Sequence, residues 1–294
     1  NRGLTIGKAN LTLSGTRVYD AGTTFAGQHL IATGVAGQTF SVTGSGDASN
    51  LTSKNVQSNQ PLSSVTGLAL GSSANNGLAD NYNAMSITGS SVNVTPKALT
   101  VSATAADKAY DATLLATVNS INSADIIGND TVNIAHSSAN FANKNVARDA
   151  SGGIIGQSVT VSGLSLSGSD AGNYSIASET VTSAKITPKA LTVAVSVADK
   201  VYDGGTSATV SAKTSNDIFS GDAVSIGFAA ANFADKNVAR DANGNVMEKT
   251  ATVSGLSLTG ADAGNYRLGS TTSTDMAINP VKALTVAVSV GDKV

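Results

Sequence analysis

This sequence repeats itself with a period of 92 residues. The heptapeptide Thr-Pro-Lys-Ala-Leu-Thr-Val occupies residues 95–101 and again 187–193, and Pro96, Pro188 and Pro280 recur every 92 residues. Tyr82, Tyr174 and Tyr266, each preceded by Asn, keep the same interval, and residues 140–150 match 232–242 almost letter for letter. A period near 92 is too long for one solenoid turn and fits a small domain strung as beads. The expected division is 1–7 as the end of a preceding repeat, 8–96 as a divergent first copy, 97–188 and 189–280 as the second and third, and 281–294 as the start of a further one. The first copy departs in length only between Lys54 and Val65 and between Leu70 and Tyr82. Both intervals are expected to be loops, because paired strands rarely absorb insertions.

Each copy reads as short strands. In the third, Leu191, Val193, Val195 and Val197 alternate with small or polar residues, the period of a strand with one buried face. Asp203-Gly204-Gly205 reads as a turn, with further strands expected over 208–212 and 224–228. Along 251–258 the parity slips: Val253 and Leu256 fall on opposite faces with Gly255 between them, as Val161 and Leu164 do around Gly163. A bulge or sharp bend is expected at those glycines. Two last strands, near 174–177 and 181–186, lead into Pro188. Six or seven strands per copy and no helical period give an all-β expectation of tandem antiparallel, Ig-like β-sandwich modules. The junction Ile186-Thr187-Pro188-Lys189 holds no flexible residue, so an elongated, stiff array is expected.

Composition excludes several classes. Cysteine is absent, which removes disulfides, thiolate nucleophiles and cysteine-bound metal. The net charge is −2 with no basic run, so nucleic acid is not an expected partner. No apolar stretch is long enough to span a membrane, and residues 1–5 carry no signal-peptide pattern. Aromatics make up only 4% of the chain, without Trp, so each core must be small and aliphatic.

Asp199-Lys200-Val201-Tyr202-Asp203-Gly204-Gly205, the blocks 233–238 and 253–266, and Ile-Thr-Pro-Lys at 186–189 resemble the YDG repeat of filamentous-haemagglutinin-type adhesins. The junction Ile-Thr-Pro-Lys-Ala-Leu-Thr-Val is also similar to that of bacterial MBG modules. The first two copies depart from the pattern with Tyr19-Asp20-Ala21 and Tyr110-Asp111-Ala112, which puts their turn geometry in question. The resemblance implies a large bacterial exoprotein, often exported by two-partner secretion, with a role in adhesion or biofilm at the cell surface. It brings no catalytic residues. The expected function is a stalk that holds an adhesive region away from the cell, with neighbouring repeats of a monomeric chain as partners. The alternative is a module that itself binds a glycan or matrix protein.

No catalytic, cofactor-binding or metal-binding residue is assigned from the sequence. His29 and His136 fall at unmatched positions with no acidic or thiol cluster. The Asp/Gly/Asn segments 170–173 and 262–265 are short of the six to eight oxygens a calcium site needs and read as turns. Lys144-Asn145 and Lys236-Asn237 are sequence neighbours and cannot be the two ends of a cross-strand isopeptide bond. Tyr19, Tyr110 and Tyr202 are expected to pack over the core with the hydroxyl on a backbone carbonyl.

Overall fold

The computed structural model describes residues 5–269 and the short strand Ala277–Ile278. The expected repeat start at 281–294, the Pro280 junction and residues 1–4 of the preceding-repeat assignment lie outside the described residues. Those described are all-β: short strands joined by turns, with five single-turn 3-10 segments and no α-helix.

The first copy forms one six-stranded sheet. Its spatial order is Gln57–Gln60, Ser91–Thr95, Thr12–Val18, Leu30–Thr33, Thr39–Thr43, Ala69–Ser73. Alternation sets its buried face, which carries Leu13, Leu30, Ala32, Phe40, Val42, Val92 and Val94. Gln57–Gln60 lies inside the interval expected to be a loop; it is a bulged edge strand with mostly exposed residues. An edge strand with one partner tolerates the length change that a central strand would not.

Pairing is mixed, which corrects the expectation of purely antiparallel sheets. Thr12–Val18 runs parallel to Ser91–Thr95. Lys97–Leu99 pairs parallel with Tyr174–Ile176, and Lys189–Leu191 with Tyr266–Leu268. Lys108–Ala109 pairs parallel with Ile186–Thr187. Parallel neighbours need a long crossover, and the body of a copy between its first and last strands supplies one. The long first strand of the third copy is accordingly two strands. Leu191, Val193 and Val195 keep one buried face, but Ala194–Val197 changes partner and pairs antiparallel with Val210–Thr214.

The parity slip is a sharp bend. Ala251–Ser254 pairs with Ala230–Phe233, whereas Ser257–Thr259 pairs with Ser225–Gly227, so the chain changes sheets at Gly255. Gly255 has φ +65°, and a Cβ there would stand 2.5 Å from the Cβ of Ala229. Gly163 and Gly67 take the same left-handed conformation.

The chain forms two compact units whose limits do not follow the sequence period. One gathers residues 5–105 with Thr117–Asn140 and Thr160–Thr182. The other gathers Ala106–Ala116, Phe141–Val159 and the described residues from 183 to 269. Inside the first unit one apolar core runs from the first copy into the second. Leu11, Leu13, Tyr19, Phe25 and Leu62 share it with Leu99 and Tyr174, and Ile126, Ile127, Val132 and Leu166 pack against it.

Gly255→Val is expected to destabilise the third copy by about 3 kcal/mol, because left-handed backbone strain adds to the clash with Ala229. Thermal or urea unfolding measures this, and a variant melting with the parent would remove the bend from the account.

Candidate functional site

The most developed polar cluster lies where one copy meets the next, and it is built twice, each time within one compact unit. In the first unit, the Tyr19 hydroxyl from the first copy and the Tyr174 hydroxyl from the second both donate to Oδ2 of Asp130, each at 2.7 Å. Lys54 of the first copy takes Oδ1 at 2.8 Å and reaches Asp170 at 3.3 Å. In the second unit, Tyr110 and Tyr266 donate to Oδ2 of Asp222 at 2.8 and 2.6 Å, and Lys144 faces Oδ1 at 3.5 Å. The tyrosine rings of each pair meet edge to face, 5.4 Å apart. The carboxylates are almost out of solvent, with side-chain exposures of 5% and 3%.

An asparagine seam runs beside each carboxylate. Asn173 accepts the Val56 N–H at 2.9 Å and donates to the Asn55 side chain at 3.1 Å. Asn265 treats Val146 and Asn145 in the same way, both at 2.9 Å. Arg148 adds a bond to the Gly264 carbonyl at 3.3 Å.

Local sequence places these groups. In the Lys-x-Tyr-Asp turn, Asp111 accepts the N–H of Thr113 at 2.9 Å, and Lys108 folds over the turn to Asp111 at 2.8 Å and to the Leu115 carbonyl. Asp203 and Lys200 repeat this in the third copy, and Arg17 pairs with Asp20 in the first. The residue after the Asp is left-handed in all three: Ala21 at φ 62°, Ala112 at φ 61°, Gly204 at φ 82°. The turn geometry that alanine put in question is therefore preserved, at a strain glycine avoids. On the opposite side, Asp170 accepts the Thr131 N–H at 3.0 Å and Asp262 that of Ala223 at 2.9 Å, fixing the loops that carry Asp130 and Asp222. Backbone N–H groups of Ile127 and Phe219 donate to the hydroxyls of Tyr174 and Tyr266, each at 3.0 Å.

Electrostatics make this a locked contact. Burial pushes the carboxyl of Asp130 up, but Lys54, Tyr174 and Tyr19 outweigh it and hold the group below the ordinary carboxylate range. Asp222 balances the same way: burial raises it, Tyr266, Tyr110 and Lys144 pull it lower, and the net is down. Burial, then the adjacent carboxylate, pushes the phenols of Tyr174 and Tyr266 up to about 12, and those of Tyr19 and Tyr110 are raised for the same two reasons. Lys54 is held protonated by its hydrogen bonds to Asp130 and Tyr19. At neutral pH the cluster is thus a carboxylate engaged by phenol and ammonium donors, suited to joining surfaces.

The expected hydroxyl contact of the tyrosines is corrected: Tyr19 and Tyr110 bond a carboxylate of the following copy, not a backbone carbonyl, because a buried phenol finds its strongest acceptor in an ion. Tyr202 is exposed. The structure brings Lys144 and Asn145 to this cluster along separate lines, to Asp222 and Asn265. His29 lies edge-on to Phe25 at 6.1 Å, and His136 is exposed; neither joins the cluster. Among the described residues no group of three or more His, Cys, Asp or Glu is arranged to hold a metal ion. Asp130 went unread in the sequence, and Asp222 reads there only as part of the turn Ser220-Gly221-Asp222. Their 92-residue spacing was a signal, weakened because the first copy has Gln38 at the equivalent place, where it accepts the Tyr82 hydroxyl at 2.6 Å.

A family model described as the YDG domain matches residues 95–182 and 187–274, more than half of the chain. The chain matches no curated protein and no solved structure.

Asp222→Ala is expected to cost about 3 kcal/mol, since two buried phenols lose their acceptor and Lys144 its counter-charge. Asp222→Asn should cost less, because an amide oxygen can still accept both phenols. Since the folded carboxyls titrate below their unfolded values, their stabilisation is full above the ordinary range near about pH 4 and drains as pH falls through the folded values. Urea midpoints between pH 7 and 2.5 should show Asp222→Asn losing less than the parent on acidification. Ala112→Gly, which relieves the left-handed alanine, should stabilise by about 1 kcal/mol in the same assay.

Proposed function

Because this chain belongs to the YDG-domain family and joins its copies by the same buried side chains twice, we propose that it is a run of structural spacer repeats in a bacterial surface or secreted adhesin. On this reading the copies 8–96, 97–188 and 189–280 are β-sandwich modules and the chain works outside the cell as a filamentous-haemagglutinin-like stalk. One observation carries the proposal: the conspicuous polar groups of the motif are spent on the neighbouring copy and not on a ligand. Tyr19, Tyr110, Asp130, Asp222, Asn173 and Asn265 are all buried in contacts between successive copies. A spacer under load needs copies that do not swing freely, and buried charge-assisted bonds across each contact oppose swinging.

A direct glycan-binding role would ask for exposed aromatic platforms. Five tyrosines, Tyr19, Tyr82, Tyr110, Tyr174 and Tyr266, are buried. No described helix is long and apolar enough to cross a membrane. Non-enzymatic function is part of the same proposal and fits a cluster of locked, protonated donors.

The test is binding by the 294-residue chain itself. Glycan arrays and immobilised matrix proteins should show no saturable binding. Saturable binding that disappears on loop substitution would replace the spacer with an adhesive module.

A further inference from the structure

The first two copies each offer a Tyr, a Lys and an Asn that the next copy covers. The third copy carries the same half of the contact at the same spacing: Tyr202, Lys236, Asn237 and Val238 stand 92 residues after Tyr110, Lys144, Asn145 and Val146. Its Lys–Asp turn and its Asn loop are held as in the second copy. Lys200 folds over the turn to Asp203 at 2.9 Å and to the carbonyls of Gly205 and Ser207, as Lys108 does in the second copy. Lys249 holds the Asn237 carbonyl at 2.9 Å, the role Gln157 takes at Asn145. Yet Tyr202 is 37% exposed where Tyr19 is 2% and Tyr110 1%. Among the described residues the Tyr202 hydroxyl and the Lys236 ammonium have no hydrogen-bond or ion-pair partner, and Val201, next to Tyr202 in the chain, is exposed.

We propose that this surface of the third copy, Tyr202, Val201, Lys236 and Asn237, is a docking face for a further copy of the same repeat placed after it in the chain, which supplies a buried Asp, a Tyr and an Asn. The occupant follows from chemistry seen twice. A phenol, an ammonium and an asparagine at this spacing are met by Asp130, Tyr174 and Asn173 in one case and by Asp222, Tyr266 and Asn265 in the other. Residues 281–294 match the opening of such a copy, with Lys-Ala-Leu-Thr-Val-Ala-Val-Ser-Val at 282–290 repeating 189–197. A second chain docking through its first copy is a poorer fit. That copy presents Gln38 where the others have Asp, and its oxygen already accepts Tyr82, so Lys236 would meet no carboxylate.

The inference rests on the array reading and extends it to a particular surface. Its test compares the 294-residue chain with one lengthened by a tandem duplicate of residues 189–280 inserted after Pro280. Tetranitromethane nitration, located by peptide mass spectrometry, reports tyrosine exposure. In the 294-residue chain Tyr202 should react first, at least tenfold faster than Tyr19 or Tyr110. In the lengthened chain Tyr202 should fall to the rate of those two, and the corresponding tyrosine of the added copy should become the reactive one. Asp222→Ala made in the added copy alone should restore the reactivity of Tyr202. Because that variant can disturb the added copy as a whole, Lys236→Gln supplies a second reading: it should leave the melting temperature of the 294-residue chain unchanged and lower that of the lengthened chain. Unchanged Tyr202 reactivity on lengthening, or a Lys236→Gln effect equal in both chains, would overturn the inference. So would concentration-dependent protection of Tyr202 in the 294-residue chain, which would assign the face to a second molecule. Saturable glycan binding would instead end the spacer reading and leave Tyr202 protection as it stands, so the two failures are told apart.

Discussion

A carboxylate taken out of water is tolerated only when its oxygens are fully engaged, and this chain is organised around two such groups. Asp130 and Asp222 each give one oxygen to two phenols and the other to a lysine. Left alone, either would take up a proton or draw in water. Satisfying it requires side chains from two successive copies at once. The residue that stabilises the contact is therefore the same one that forbids the copies from separating cheaply.

This accounts for the mismatch between period and compactness. A copy of this size with so few aromatics has little apolar area to close a core alone. The core of the first copy continues into Leu99, Tyr174, Ile126 and Leu166 of the second. Compact units therefore gather parts of two copies, although sequence similarity divides the chain at the prolines. The polar clasp adds register to that apolar contact: Asn173 and Asn265 each read a backbone N–H and a side chain of the preceding copy, and only one alignment satisfies both.

The departures from the repeat are instructive in the same terms. Ala21 and Ala112 hold the left-handed turn that Gly204 holds without strain, because the Asp cap and the folded-over Lys or Arg fix the turn from outside. Gln38 keeps the hydroxyl contact of Tyr82 with an uncharged acceptor in place of the carboxylate.

Much was legible in the residues alone. Alternation gave the strands and their buried faces, as at Leu191, Val193 and Val195, because a strand's side chains have a period of two whatever surrounds them. The parity slip located the bend at Gly255, since a continuous strand would send Val253 and Leu256 to opposite faces, and the chain changes partner strands there. Repeat spacing divided the sequence into copies, and the motif residues within them carried the resemblance to the YDG family. What tertiary structure alone decided was pairing across long separations. The parallel partnership of Thr12–Val18 with Ser91–Thr95 leaves no local trace, because alternation is the same for parallel and antiparallel neighbours. The meeting of Tyr19 with Asp130 or Tyr110 with Asp222 spans more than a full period, and a lone Asp in a loop looks like any solvated turn residue until the fold removes its water. The sequence determined which groups each copy carries; the fold determined that they are spent on the next copy, because only there does burial make a carboxylate need two phenols and a lysine.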